Sequence, residues 1–293
     1  MRTNHSNSKG IVMKTFIKLP AFALLAVAAL TLGTSASAET TLERVQRTGE
    51  IRIAYANEAP FAYTLTNGKV TGESPEIAKI IFAKIGVTTV KPVLVEWGSL
   101  IPGLMAGRFD VIAAGMYVTP ERIKQVLFTD PHYQLADTLL VAKGNPRKLH
   151  SYADITGNAK VKLAIMAGTS QYAYAIAAGV PESRIMQVPT TTAQLQAVRT
   201  RRADAAVGTA LTMKALAVKG GKRVQAITDF NDDPSHIGYG ALAFRQEDQT
   251  LRDAVNVALQ QWLGSPEHLA TVAPFGFDKS NLTTKTVAEI AAQ

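Results

Sequence analysis

There is no cysteine in the 293 residues. A disulfide scaffold, a thiolate metal site and a lipid-anchored precursor are therefore excluded. The five histidines, at positions 5, 132, 150, 236 and 268, fall at no metal-ligand spacing, so neither a metal nor a cofactor is expected. No G-x-S-x-G, H-E-x-x-H or Gly-rich phosphate loop occurs. Basic runs interleaved with aromatics are also missing. Arg199, Arg201 and Arg202 read as the solvated face of a helix, so nucleic acid is not an expected partner despite a formal net charge of +8. What is present is globular: 47% hydrophobic and 18% charged residues, enough chain for one large or two modest domains.

Residues 1–38 contain four basic residues and no acid, then the apolar run LPAFALLAVAALTL from Leu19, then small residues. This is the pattern of a secretory signal, with Ala36-Ser37-Ala38 as the A-x-A cleavage site. The run is too short to span a bilayer comfortably. Cutting after Ala38 leaves 255 residues, and taking its four basic residues from +8 leaves +4. No later stretch up to Gln293 is apolar enough to span, which argues against a membrane-tethered sensor. The expected product is exported and soluble.

The remaining chain alternates strand and helix signals. EIRIAYA (50–56) reads as a strand, Asn67-Gly68 as a tight turn, and Ser74-Pro75-Glu76 as a helix start with Ser74 as N-cap. VKPVLVEW (90–97) reads as an edge strand because of its proline. Ser99 is read as the cap of a helix near Leu100–Ala106. VIAAG (111–115) reads as a buried strand, and Thr119-Pro120-Glu121-Arg122 as another helix start. A second set follows after Asn145-Pro146: VKLAIMAGT (161–169), a helix through 173–178, RIMQVP (184–189), TTAQLQAVRT (191–200) and ADAAVGT (203–209). GYGALAF (238–244) and a long amphipathic helix from Gln246 close it. Alternation of this kind predicts an α/β architecture. Lobe 1 is assigned 39–140 and 239–293, and lobe 2 141–238, with hinge crossings near 139–145 and 232–240. A cleft between two hinged lobes can close on a ligand.

The fragments GEIRIAYANEAPFAY, WGSLIPGLMAGRFDVIAAGMYVTPERIKQVLFTDPHY, AGTSQY, RADAAVGT and IGYGALAF, in that order, resemble the periplasmic solute-binding proteins of polar amino-acid ABC transporters (family 3). The resemblance implies a two-lobe Venus-flytrap fold, a small zwitterionic ligand and ABC permease subunits as partners. Within that group, ANEAPF and AGMYVTPER are most similar to ectoine/hydroxyectoine-binding proteins.

Arg122 presents a planar fork that matches a carboxylate, which an ammonium does not reproduce. Read alone it pairs with Glu121 or a neighbour on an exposed helix; the resemblance implies that it holds a ligand carboxylate, helped by Gly115 and Thr119. Phe61, Trp97 and Tyr117 follow three separate strands. Each alone reads as core packing, and together they suit a desolvated cation. Phe82, Phe109 and Phe128 are assigned to core. Glu58 is either an exposed loop acid or a counter-charge for the ligand. Thr169 and Ser170 stand where a strand turns into a helix, placed to cap it or to bind a carboxylate. His236 is assigned to the hinge.

One departure from the family stands out. Its amino-acid binders carry an Asp at the end of the DAxxx strand, and here that position holds Thr209. A hydroxyl does not neutralise a primary ammonium, which favours a ligand whose positive charge is spread over a ring. Other readings kept open are a polar L-amino acid binder and, from another class, a cyclohexadienyl dehydratase-like enzyme with Glu58 as its acid. The expectation is a binding protein rather than an enzyme.

Overall fold

The computed structural model describes residues 38–292. Residues 1–37, which hold most of the expected signal, lie outside the described part. In chain order the strands are β1 (Glu50–Tyr55), β2 (Tyr63–Thr64), β3 (Val70–Thr71), β4 (Thr89–Leu94), β5 (Val111–Tyr117), β6 (Leu127–Phe128) and β7 (Tyr133–Leu135), then β8 (Asp137–Ala142), β9 (Leu163–Met166), β10 (Ile185–Val188), β11 (Ala205–Thr209), β12 (Val224–Ala226) and β13 (Gly238–Phe244). They form two main sheets and the small hairpin β2–β3.

The first sheet runs β4-β1-β5-β13-β6, with β7 also on β13; β1 is parallel to β4 and β5, and β13 is antiparallel to its neighbours. The second runs β10-β9-β11-β8-β12, with β9 parallel to β10 and β11, and β8 antiparallel. Each lobe thus carries three parallel strands, the earliest of them in the middle, plus an antiparallel one. In such sheets the strand order reverses beside the first strand, and a crevice opens at the carboxyl ends. Both faces are covered. Ile51, Ile53, Val111 and Ala113 pack on one side of the first sheet, and Ala54, Ile112, Ala114 and Met116 on the other. Leu139, Leu163 and Val207 versus Leu140, Ala164 and Ala206 do the same in the second. The period of two with no exposed face explains why these strands read as apolar runs. Phe82, Phe109 and Phe128 are core residues, and β4 with Pro92 is an edge strand.

Three local expectations are corrected. The helix Glu73–Lys84 has no side-chain cap. The N–H groups of Glu73 and Ser74 donate instead to the carbonyls of Pro60 and Phe61, and the Ser74 hydroxyl turns to Glu73. A loop that packs against the helix start makes a capping hydroxyl redundant. Ser99 likewise caps nothing, because a 3-10 turn, Trp97–Ser99, leads straight into the helix Leu100–Met105. The chain leaves the first sheet at Leu135 and joins the second at Asp137, so Ala136 lies between them, upstream of the expected 139–145. The apolar residues Leu139–Val141 are buried strand rather than connection. The return runs between Ala226 and Gly238.

Candidate functional site

The carboxyl ends of β1, β4 and β5 face those of β9 and β11 across the space between the lobes. The loop after β1 is tied by two backbone bonds, Glu58 N–H to Ala62 O (2.7 Å) and Ala62 N–H to Glu58 O (2.9 Å), which fix Glu58 and Phe61. Trp97 begins the turn after β4. Tyr117 ends β5, and Thr119 caps the short helix Pro120–Ile123, its hydroxyl accepting from the Arg122 N–H at 3.3 Å. From the second lobe, Thr169 and Ser170 open the helix Ser170–Ala177, and Thr209 caps Ala210–Gly220. Glu58, Phe61, Trp97, Gly115, Tyr117, Arg122, Thr169, Ser170 and Thr209 line one cavity.

Gly115 has a specific reason to be glycine. It adopts φ +70°, and a Cβ there would overlap the ring of Phe61. The β5–β13 pairing slips at this point, between Ala241 and Ala243. The missing side chain lets Phe61 lie flat on the strand, where it also meets Tyr133 (5.5 Å) and Phe277 (5.6 Å).

Arg122 is 8% exposed and Glu58 7%. The guanidinium donates to Tyr117 O (2.7 Å) and to Gly168 O (3.1 Å), and its carbon lies 5.9 Å from the centre of the Trp97 ring. No carboxylate of the described residues pairs with it. Burial lowers its pKa to about 10. Glu58 accepts from the Thr212 hydroxyl at 2.7 Å and pairs with no described cation. Burial raises its pKa to about 7, against the pull of that hydrogen bond. One cavity therefore presents an unpaired buried cation and an unpaired buried acid. Ions buried in this way lose hydration at a cost of several kcal/mol each, which a complementary charge offsets. A zwitterion supplies both complements at once.

The hydroxyls of two predicted residues are engaged locally. Thr119 borders the neighbouring groove, which Arg122, Thr169 and Ser170 also line, and its hydroxyl accepts from the Arg122 backbone. The Thr169 hydroxyl donates to Met166 O (2.8 Å) and makes no cap, which leaves the first-turn N–H groups of its helix without a side-chain partner. His236 pairs with Asp232 at 2.7 Å and stacks on Tyr174 at 4.0 Å, beside the return passage rather than in the cavity.

Sequence reasoning missed Met166, Gln171, Gln194, Val207, Gly208 and Met213, which also line the cavity, and Thr212 and Asp137 just behind it. Gln194 was visible as a polar residue on an apolar helix stripe. It is buried and donates to Ala164 O and Val207 O, binding β9 to β11. Gln171 Nε2 lies 2.9 Å from both oxygens of Asp137, whose pKa burial raises to about 8.

The sequence profile of the bacterial extracellular solute-binding proteins, family 3, matches residues 51–273. A probable amino-acid ABC transporter periplasmic-binding protein of Sinorhizobium fredii is 37% identical, covering 94% of each chain. The crystal structure of EhuB in complex with hydroxyectoine superposes with a TM-score of 0.81 at 34% identity, covering 86% of this chain and 98% of that one. The ancestral amino acid-binding protein AncCDT-1, a precursor of cyclohexadienyl dehydratase, gives 0.71 at 30% identity, covering 80% and 99%.

Proposed function

The chain belongs to the bacterial extracellular solute-binding proteins, family 3, and on that premise we propose that it captures an ectoine- or hydroxyectoine-like zwitterion in the periplasm and presents it to an ABC permease. The observation that carries this reading is the pairing of charges in one cavity: the guanidinium of Arg122 and the carboxyl of Glu58, both buried and each without an ion partner, with Phe61, Trp97 and Tyr117 around them. A ligand carboxylate takes the fork of Arg122. A ring-delocalised cation sits among the aromatic faces, each worth on the order of 2 kcal/mol when desolvated, with Glu58 as counter-charge. The hydroxyectoine complex of a neighbour supports the same ligand class.

The protein works as a monomer with a hinge at Ala136 and at the return segment. Ligand docks first on Arg122 and the rings of the first lobe. The second lobe then closes and adds Thr169 and Ser170, and the ligand contacts made only in that form shift the population toward it. A thermal-shift panel tests the ligand: ectoine or hydroxyectoine is expected to raise Tm more than any standard amino acid. A panel led by arginine, glutamine or histidine overturns the ectoine assignment.

One observation favours a second reading. Glu58, with its pKa near 7, is half protonated at neutral pH beside a carboxylate-binding Arg122, as a general acid would be. Loss of prephenate or arogenate on incubation with the protein would establish a dehydratase in place of a binder.

A further inference from the structure

Asp137 opens β8 at the passage between the lobes and is only 4% exposed. A buried carboxylate costs several kcal/mol unless something compensates it. Here it has no ion partner among the described residues, and its one side-chain hydrogen-bond partner is the Gln171 amide, whose Nε2 is 2.9 Å from both of its oxygens. In the antiparallel pair β8–β11, Asp137 stands directly opposite Thr209, so the two side chains share the face that looks into the cavity. Thr209 and Gln171 line that cavity and Asp137 does not. The Asp137 carboxyl accepts from the NH2 group of Gln171, which turns the amide oxygen the other way. That oxygen has no hydrogen-bond partner among the described residues.

We propose that Asp137 is a positioning residue that fixes the Gln171 amide so that its Oε1 accepts a hydrogen bond from an N–H group on the positive end of the ligand. A buried acid set behind a neutral amide selects a cation that carries N–H without placing a second full charge in the cavity. It also makes lobe 2 a reader of the ligand's donor groups, whereas lobe 1 reads its charges. The inference rests on the reading of this cavity as a zwitterion site.

The test is a double-mutant cycle by titration calorimetry with ectoine, or with L-arginine if the wild-type protein prefers it. Asp137→Leu removes the acceptor and is expected to weaken binding at least tenfold. Gln171→Met removes the amide and is expected to do the same. The double variant is expected to match Gln171→Met within twofold, because Asp137 has nothing left to act through. Asp137→Asn keeps a carbonyl acceptor for Gln171 and is expected to lose less than threefold. Melting each variant without ligand checks folding, and Asp137→Ser replaces Asp137→Leu if the latter does not fold. Additive losses, an unchanged Asp137→Leu, or an Asp137→Asn as weak as Asp137→Leu each overturn the proposal while the binding function stands. A wild-type protein that binds neither ligand brings down the function itself, and this inference with it.

Discussion

Trp97 and Arg122 converge on one acceptor: the indole Nε1 and the guanidinium Nη2 each donate to the carbonyl oxygen of Gly168 at 3.1 Å. Both donors stand on the first lobe and the acceptor on the second. Gly168 adopts φ +81°, a dihedral that few other residues tolerate. The Thr212–Glu58 hydrogen bond makes a further link between the lobes. Closure and charge recognition thus use the same side chains.

Arg122→Ala is expected to weaken ligand binding at least tenfold, since it removes a charge-assisted fork and one of the links to Gly168. Arg122→Lys recovers only part of this, because an ammonium lacks the fork. Calorimetry checks both, and unchanged affinity in Arg122→Ala removes the residue from the site.

Glu58 makes both binding and stability depend on pH, with opposite signs. Its pKa of about 7 means that it ionises between about pH 6 and 8, and the ionised form is the one that balances a positive ligand end. Affinity for such a ligand therefore rises with pH across that window, and Glu58→Gln flattens the profile. In the ligand-free protein, the folded pKa lies above the unfolded value of 4.5, so the native state holds more protons between the two. Stability from this group consequently falls as pH climbs from about 4.5 to 7, by on the order of 3 kcal/mol. Differential scanning calorimetry at about pH 8 should show Glu58→Gln melting above wild type, with Asp137 common to both.

Phe61→Leu keeps most of the buried volume and should cost less than about 1.5 kcal/mol of stability. It removes a π face, so affinity for a cationic ligand end is expected to fall about 5- to 30-fold. Titrating the variant alongside its denaturant curve separates the two effects.

Asp110 offers a control remote from the cavity. It is fully buried and is held by Arg44 (2.6 Å) and Arg52 (2.9 Å), with Arg245 at 3.7 Å. Asp110→Asn leaves those cations poorly matched and is expected to lower stability by about 3 kcal/mol or more. Ligand affinity of the folded fraction should stay within twofold, as measured by denaturant unfolding and calorimetry.

The inner strands were legible because β1, β5, β8, β9, β11 and β13 carry buried residues on successive positions, and the first-lobe site was legible because its residues follow strand ends at short range. Glu58, Phe61, Trp97 and Arg122 all lie within eight residues of such an end. The second lobe was harder. Gln171 and Thr212 act through partners far along the chain, Asp137 and Glu58 respectively. A polar residue on a helix shows no sign in sequence of which distant acid it meets. The same holds for Ser74, whose expected capping role was taken by backbone carbonyls from the loop at 60–61. Thr119 was expected at the ligand; its hydroxyl accepts from the Arg122 N–H at its own helix start.

The chain has two tryptophans, and their surroundings differ in kind. Trp262 is packed in the first lobe with its indole nitrogen on Glu267, whereas Trp97 borders the cleft and hydrogen-bonds across it. Parting of the lobes would hydrate one indole and leave the other dry. Replacing Trp262 with phenylalanine would leave a single intrinsic fluorophore whose emission colour follows the opening of the molecule, an optical gauge that requires no attached dye.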